Sequence, residues 1–178
     1  MTFLASNTFY ENVKILQETS PSTQNNFTHN SWTNIDYTQI DYTPASFSEY
    51  VLYDFTFFYS KDGFTGSNQI NLYTKLIYSD DNGSSWYDWG QNTQVFLGSD
   101  HANTRSRSSC SVKFLLDIAT SGSRPIWKGN RRLKLQGKKL SSSHDIGLHK
   151  LINFMDGSGT VSGDQYLYPS VTCSSLKG

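Results

Sequence analysis

The stretch EYVLYDFTFFYS, Glu49 to Ser60, decides the fold. Val51, Tyr53, Phe55, Phe57 and Tyr59 recur at every second position, while Tyr50, Asp54 and Thr56 fall between them. A period of two places alternate side chains on opposite faces of an extended chain, and the aromatic and β-branched content suits a pleated, half-buried surface. The same alternation recurs on either side. INLYTKLIYS (70–79) groups Ile70, Leu72, Leu76 and Tyr78 against Lys75 and Ser79, and SVKFLLDIA (111–119) groups Val112, Phe114, Leu116 and Ile118 against Ser111, Lys113 and Asp117. Weaker strand patterns cover 13–19, 34–43, 93–98, 131–137, 147–155 and 166–176, separated by Gly, Ser, Asn and Asp clusters. Only TFYENVKILQE near the start and HDIGLHKLINFM (144–155) compete as helices. About eight or nine short antiparallel strands without long helices point to an all-β β-sandwich or jelly roll. Irregular strand spacing argues against a closed barrel.

The 178 residues fit one domain. Residues 1–45, polar and Asn-rich around SPSTQNNFTHNS, read as an N-terminal arm with the first strands, and 46–178 as the sandwich. Only 36% of residues are hydrophobic but 15% are aromatic, so aromatics must build much of the core. Fifteen basic residues balance fifteen acidic ones, leaving no global field to draw in nucleic acid or an anionic membrane. The start of the chain carries no basic segment followed by an apolar run, so no signal peptide is expected, and no apolar stretch approaches the ~20 residues of a spanning helix. Two cysteines, Cys110 and Cys173, exclude a disulfide scaffold and are expected as free thiols, with a single bridge as the alternative.

The densest local signal is SDDNGSSW, where Ser79, Asp81, Gly83 and Trp86 match S-x-D-x-G-x-x-W. The pattern resembles an Asp-box, the hairpin motif repeated in sialidase propellers. It requires a carboxylate that accepts backbone N–H groups across a loop, a glycine for positive φ, and an aromatic folded under the turn. One copy in a chain near the lower length limit of a propeller excludes that architecture. A structural turn is the expectation. The calcium-loop alternative fails because the ligand alternation is broken and Asp88 stands where the terminal Glu belongs. EYVLYDFTFFYS, LIYSDDNGSSWYDW and VKFLLDIA together, within residues 49–118, also resemble virion-surface and tail-fibre modules of marine and cyanobacterial phages. That resemblance implies a virion β module and assigns no binding residues.

Chemistry-bearing patterns are sparse. There is no G-x-S-x-G elbow, no Walker A loop and no G-x-G-x-x-G. His101 precedes Cys110 by nine residues, which implies no geometry; His144 and His149 are five apart, a poor spacing for one metal on a strand or a helix. DGSGTVSGD (156–164) reads as a loop. Only three glutamates, Glu11, Glu18 and Glu49, are present, and most aspartates sit in turn-like contexts, so a glycosidase pair ranks low. No catalytic residue, metal site or cofactor is expected.

Two surface features remain. Arg124, Lys128, Arg131, Arg132, Lys134, Lys138 and Lys139 form a basic strip without an acid, read either as an edge strand guarded against pairing or as a contact for a subunit or phosphate. Tyr87, Trp89 and Trp127 are candidate glycan-stacking or interface aromatics, with Trp86 turned inward and Trp89 on the opposite, exposed face. The expectation is therefore a non-enzymatic phage structural protein located in the virion. It acts as a capsid decoration (cement-like) or tail-fibre module, forms a homo-oligomer such as a homotrimer, and contacts other virion proteins for assembly or host attachment. Its alternatives are a carbohydrate-binding module for a host surface glycan and, third, a small glycan-degrading enzyme.

Overall fold

The computed structural model describes residues 10–17, 25–27, 30–61, 69–99, 106–119, 126–127, 129–140, 146–151, 165–166 and 168–177. Thirteen strands, and no helix, occur among them. They are β1 (Tyr10–Gln17), β2 (Asn25–Asn26), β3 (Thr33–Asn34), β4 (Ile40–Tyr42), β5 (Tyr50–Lys61), β6 (Gln69–Ser79) and β7 (Tyr87–Ser99). There follow β8 (Ser106–Asp117), β9 (Arg131–Lys139), β10 (Ile146–Leu148), β11 (Lys150–Leu151), β12 (Gln165–Tyr166) and β13 (Ser170–Leu176). Within the second helix candidate, the described residues 146–151 form β10 and β11 on either side of His149.

Every pairing is antiparallel, and the order of the longer pairings identifies the topology. First pairs with last: β1 with β13, β4 with β9, β5 with β8 and β6 with β7. This is one long ribbon folded back on itself. The additional pairs β13·β5 and β9·β6 roll the ribbon, so that alternate pairs enter opposite sheets. One sheet runs β8–β5–β13–β1 and the other β7–β6–β9–β4, which is a jelly roll. β10 and β2 extend the first sheet beside the far half of β5, and β3 extends the second beside β9. β11 and β12 pair separately.

The core is the space between the sheets. Val51, Tyr53, Phe55 and Phe57 of β5 are fully buried, as the alternation of EYVLYDFTFFYS requires, and meet Leu72 and Leu76 of β6 and Leu133 and Leu135 of β9. Burying large aromatics is worth several kcal/mol each, but their hydroxyls need partners. Those partners join the layers: Tyr59 donates to the Leu97 carbonyl at 2.7 Å, Tyr42 shares a 2.6 Å bond with Ser175, and Tyr53 donates to the Thr38 carbonyl at 2.6 Å. The segment between β3 and β4 completes the ladder of β9, with Ile35 N–H on the Leu135 carbonyl and Leu135 N–H on Thr38 Oγ1. Phe27 and Ile35 close the core over Gly137, where a Cβ would lie 2.7 Å from the Phe27 ring.

Of residues 1–45, those described supply β1 to the first sheet, β2 beside β10, and β3 and β4 to the second sheet. Residues 20–24 and 28–29 of SPSTQNNFTHNS lie outside the described residues, as do Arg124, Lys128, His101, His144 and DGSGTVSGD. Both cysteines are free thiols; Cys173 is buried in β13, and burial drives its thiol pKa far up.

The basic segment is corrected in two respects. β9 is an interior strand, flanked by β6 on one side and by β3 and β4 on the other, and needs no protection against edge pairing. Its basic residues also divide between two faces: Arg131 and Lys139 are buried with Leu133 and Leu135, while Arg132, Lys134 and Lys138 point outward, half-buried. A continuous positive strip does not form along it, because period two sends neighbours to opposite sides.

Candidate functional site

The turn from β6 to β7 is built around one carboxylate. Asp81 Oδ1 accepts the Ser85 N–H at 2.8 Å and the Ser79 hydroxyl at 2.7 Å, while Ser79 Oγ accepts the Gly83 N–H at 2.8 Å. These donors hold the Asp81 carboxyl down to about 2, with the Ser79 bond the largest cause. Asn82 and Gly83 both have positive φ (59° and 94°), where glycine carries no Cβ penalty. Trp86 Nε1 donates back to the Gly83 carbonyl at 3.0 Å. Arg132 ties this turn to β4 by a forked bond to Asp41 (2.7 and 3.1 Å) and a bond to the Asn82 carbonyl at 2.6 Å. The guanidinium holds the Asp41 carboxyl below its ordinary value.

The two flanking tryptophans exchange their expected positions. Trp86 packs on the outer face, with Lys134 Nζ 3.7 Å above its ring, and burial lowers the Lys134 pKa. Trp89 is 1% exposed, and Trp127 is 2% exposed. Register sets these sides: Tyr78 faces Tyr87 and Ile77 faces Asp88, so Trp89 falls on the inward side of Tyr78 and Leu76 and Trp86 on the outer, ahead of a bulge in which Trp89, Gly90 and Gln91 together oppose Leu76. Gly90 takes φ 82° there. Trp89 turns inward to Tyr78 and Trp127, and these three rings surround the Arg131 guanidinium at 5.9, 4.8 and 5.6 Å. Arg131 also pairs with Asp80. Of the three aromatics expected to stack on a sugar, only Tyr87 is exposed (52%); Trp89 and Trp127 form a buried cage that lets an arginine enter the core.

Aromatic and cationic groups do meet on the outer face of the second sheet, farther along β6 from that turn. Tyr73 and Lys75 of β6 face outward beside Lys138 and Gln136 of β9 and opposite Gln94 and Asn92 of β7. Trp32, just before β3, lies beneath Lys75 and Lys138, whose ammonium groups stand 5.0 and 4.8 Å from its ring centre. Asn30, Trp32, Tyr73, Asn92, Lys138 and Leu140 line an open cleft of about 520 Å³. Cross-strand register, absent from any single segment, creates this group; the local signals are Trp32, an aromatic available for sugar stacking, and Tyr73 with Lys75 at i and i+2.

The outer face of the first sheet has another character. Val13, Ser174, Leu52 and Leu115 stand in one cross-strand row over β1, β13, β5 and β8, with Ile15 alongside. Val13, Ile15 and Leu115 are 50%, 66% and 51% exposed. At one end of the sandwich Phe47, at φ 68°, projects beside an apolar cleft of about 500 Å³ lined by Pro44, Ala45, Ile118 and Ile126.

His149 is fully buried between β10 and β11, edge-on to Tyr37 at 5.2 Å and to Phe55 at 6.0 Å. Burial pushes its pKa down to about 4, partly offset by Asp36. No hydrogen bond of ordinary geometry reaches either ring nitrogen from the described residues. No cluster of three or more His, Cys, Asp or Glu side chains suited to a metal occurs among the described residues.

Fold and surface together define an antiparallel jelly roll with exposed apolar side chains, Val13, Ile15 and Leu115, on one outer face and a cationic-aromatic group on the other. No protein-family model matches the chain, and no curated protein matches it. Among solved structures, it is similar to a chain of the cowpea mosaic virus top component, described as naturally occurring empty particles. The identity is 11%, the alignment covers 78% of this chain and 92% of that one, and the TM-score is 0.20.

Proposed function

We propose that the protein is a virion structural module, of the decoration or tail-fibre type, that works through subunit contacts and adhesion without catalysis. The observation that carries this reading is the exposure of Val13 and Ile15 on β1 and of Leu115 on β8: apolar side chains left in water on the outer face of a finished sandwich. Exposed apolar groups on two strands of one sheet face mark a contact surface rather than scattered surface residues. Its occupant is a second copy of this chain, because β1 closes the sheet with Val13, Ile15 and Leu16 all exposed, and an open edge offers itself to another copy. A homotrimer is the assembly proposed. The jelly roll supports the reading only by analogy, since that architecture serves capsid and lectin domains alike. The resemblance of residues 49–118 to phage virion modules supports the particular setting. Within it the Ser79–Trp86 hairpin is an Asp-box-like structural turn, supported by the bonds of Asp81.

Light scattering of the purified protein tests the assembly. A stable homo-oligomer that dissociates in an Ile15→Asp variant of unchanged secondary structure supports it. A monomer at tens of micromolar, or an oligomer indifferent to Ile15→Asp, overturns it.

A further inference from the structure

We infer that the cleft of Trp32, Tyr73, Asn92 and Lys138 binds an acidic saccharide, a sugar bearing a carboxylate or a sulfate. The cleft has the size of a small-ligand site: about 520 Å³ falls within the usual range of roughly 300–1,000 Å³. Its chemistry has two parts. Trp32 and Tyr73 supply aromatic surface beside Leu140 and polar side chains, which suits the apolar C–H face of a pyranose ring. For charge, Lys138 and Lys139 line the cleft and Lys75 stands beside it over Trp32, and Lys75 and Lys138 are not equivalent. Lys75 pairs with Asp88 at 2.9 Å, whereas Lys138 has only the rings of Trp32 (4.8 Å) and Tyr73 (5.8 Å). Lys138 has no carboxylate partner among the described residues. An aromatic ring attracts an ammonium group without neutralising it, so Lys138 is held in position with its charge still to be met. Asn92, on the neighbouring edge strand, is exposed and presents an amide that both donates and accepts, as sugar hydroxyls require.

A single-stranded nucleic acid also combines flat rings with negative charge, but the surroundings disfavour it. Asp88 and Asp41 each pair with a basic residue on this same face, so a phosphate chain extending beyond the cleft meets carboxylates rather than a basic track. The net charge of zero supplies no compensating field. The cleft lies on the side of the sandwich opposite Val13 and Leu115, so ligand binding and assembly are separable.

The test is calorimetric titration of the full chain with an oligogalacturonide hexamer, a heparin-derived hexasaccharide, neutral maltohexaose and an oligothymidylate of matched charge. The expected result is saturable binding of at least one acidic saccharide, at least tenfold tighter than maltohexaose. Lys138→Gln should weaken it tenfold or more, and Trp32→Ala should abolish it. The two acidic probes distinguish carboxylate from sulfate as the recognised group. Lys138→Gln, an outward substitution on an intact strand, keeps the test meaningful where Trp32→Ala disturbs folding. Binding of no saccharide, wild-type affinity in Lys138→Gln, or tighter binding of the oligothymidylate overturns the inference.

Discussion

Acidification should destabilise this protein through His149, in a pH window set by its burial. The imidazole is fully buried against Tyr37 and Phe55, and its folded pKa is about 4 against an ordinary value of 6.5. A histidine whose folded pKa is depressed binds fewer protons when folded than when unfolded between those two values, so stability falls as pH drops from 6.5 towards 4. The neutral ring is fully tolerated at pH 7.5. Linkage with these two values gives a loss of about 2 kcal/mol by pH 5 and about 3 kcal/mol by pH 4. At a urea m-value of about 2 kcal/mol/M, the pH 5 loss moves the midpoint by roughly 1 M. The assay is urea unfolding followed by tryptophan fluorescence at pH 7.5, 6.5, 5.5 and 5.0 and at one protein concentration, in wild type and His149→Phe. Phenylalanine keeps the aromatic packing but cannot titrate. His149 sits at φ 69°, so the substitution lowers stability at every pH, and only the difference in pH slope is read. Parallel slopes in the two proteins, or a wild type that gains stability on acidification, would refute the reasoning.

Three further substitutions probe the layers of the fold. Gly137→Ala places a methyl 2.7 Å from the Phe27 ring and 3.1 Å from Ile35, and should cost about 1–3 kcal/mol in urea unfolding, with Phe27→Leu recovering part of the loss. Arg131→Lys keeps the charge but loses the planar group stacked within Tyr78, Trp89 and Trp127; it should cost about 1–2 kcal/mol and alter the near-ultraviolet dichroism of the buried rings. Asp81→Ala removes the acceptor for Ser85 N–H and Ser79, and should lower the thermal midpoint. The Asp81 contribution is present above the ordinary carboxylate pKa and is lost as pH falls towards about 2, so wild type and Asp81→Ala should converge in strong acid.

The sequence made the interior of the fold legible where strands are buried on one face and wet on the other. β5, β6 and β8 follow their alternation closely, because each lies between a core and solvent. β7 did not read as a strand before Thr93, since Asp88, Gly90, Gln91 and Asn92 line an exposed edge and carry no apolar alternation. The register that sets Tyr87 opposite Tyr78 put Trp89 on the inner side and Trp86 on the outer, the reverse of the expectation, and pairing register is not written in one strand alone. β9 looked like a guarded edge because lysine and arginine alternate with leucine, a pattern that an interior strand with a wet outer face produces equally well. Trp127 is buried by Arg131 and Tyr42, and the Trp32 cleft by register between β6 and β9; both are long-range facts outside the reach of local patterning.

Sedimentation equilibrium of the purified chain, alone and as Ile15→Asp and Leu115→Asp variants, tests the proposed assembly most directly. The expected result is a homo-oligomer several times the 20.1 kDa subunit mass, reduced to folded monomer by either substitution on the outer face of the first sheet. A wild-type protein that remains a 20.1 kDa monomer at tens of micromolar would contradict it.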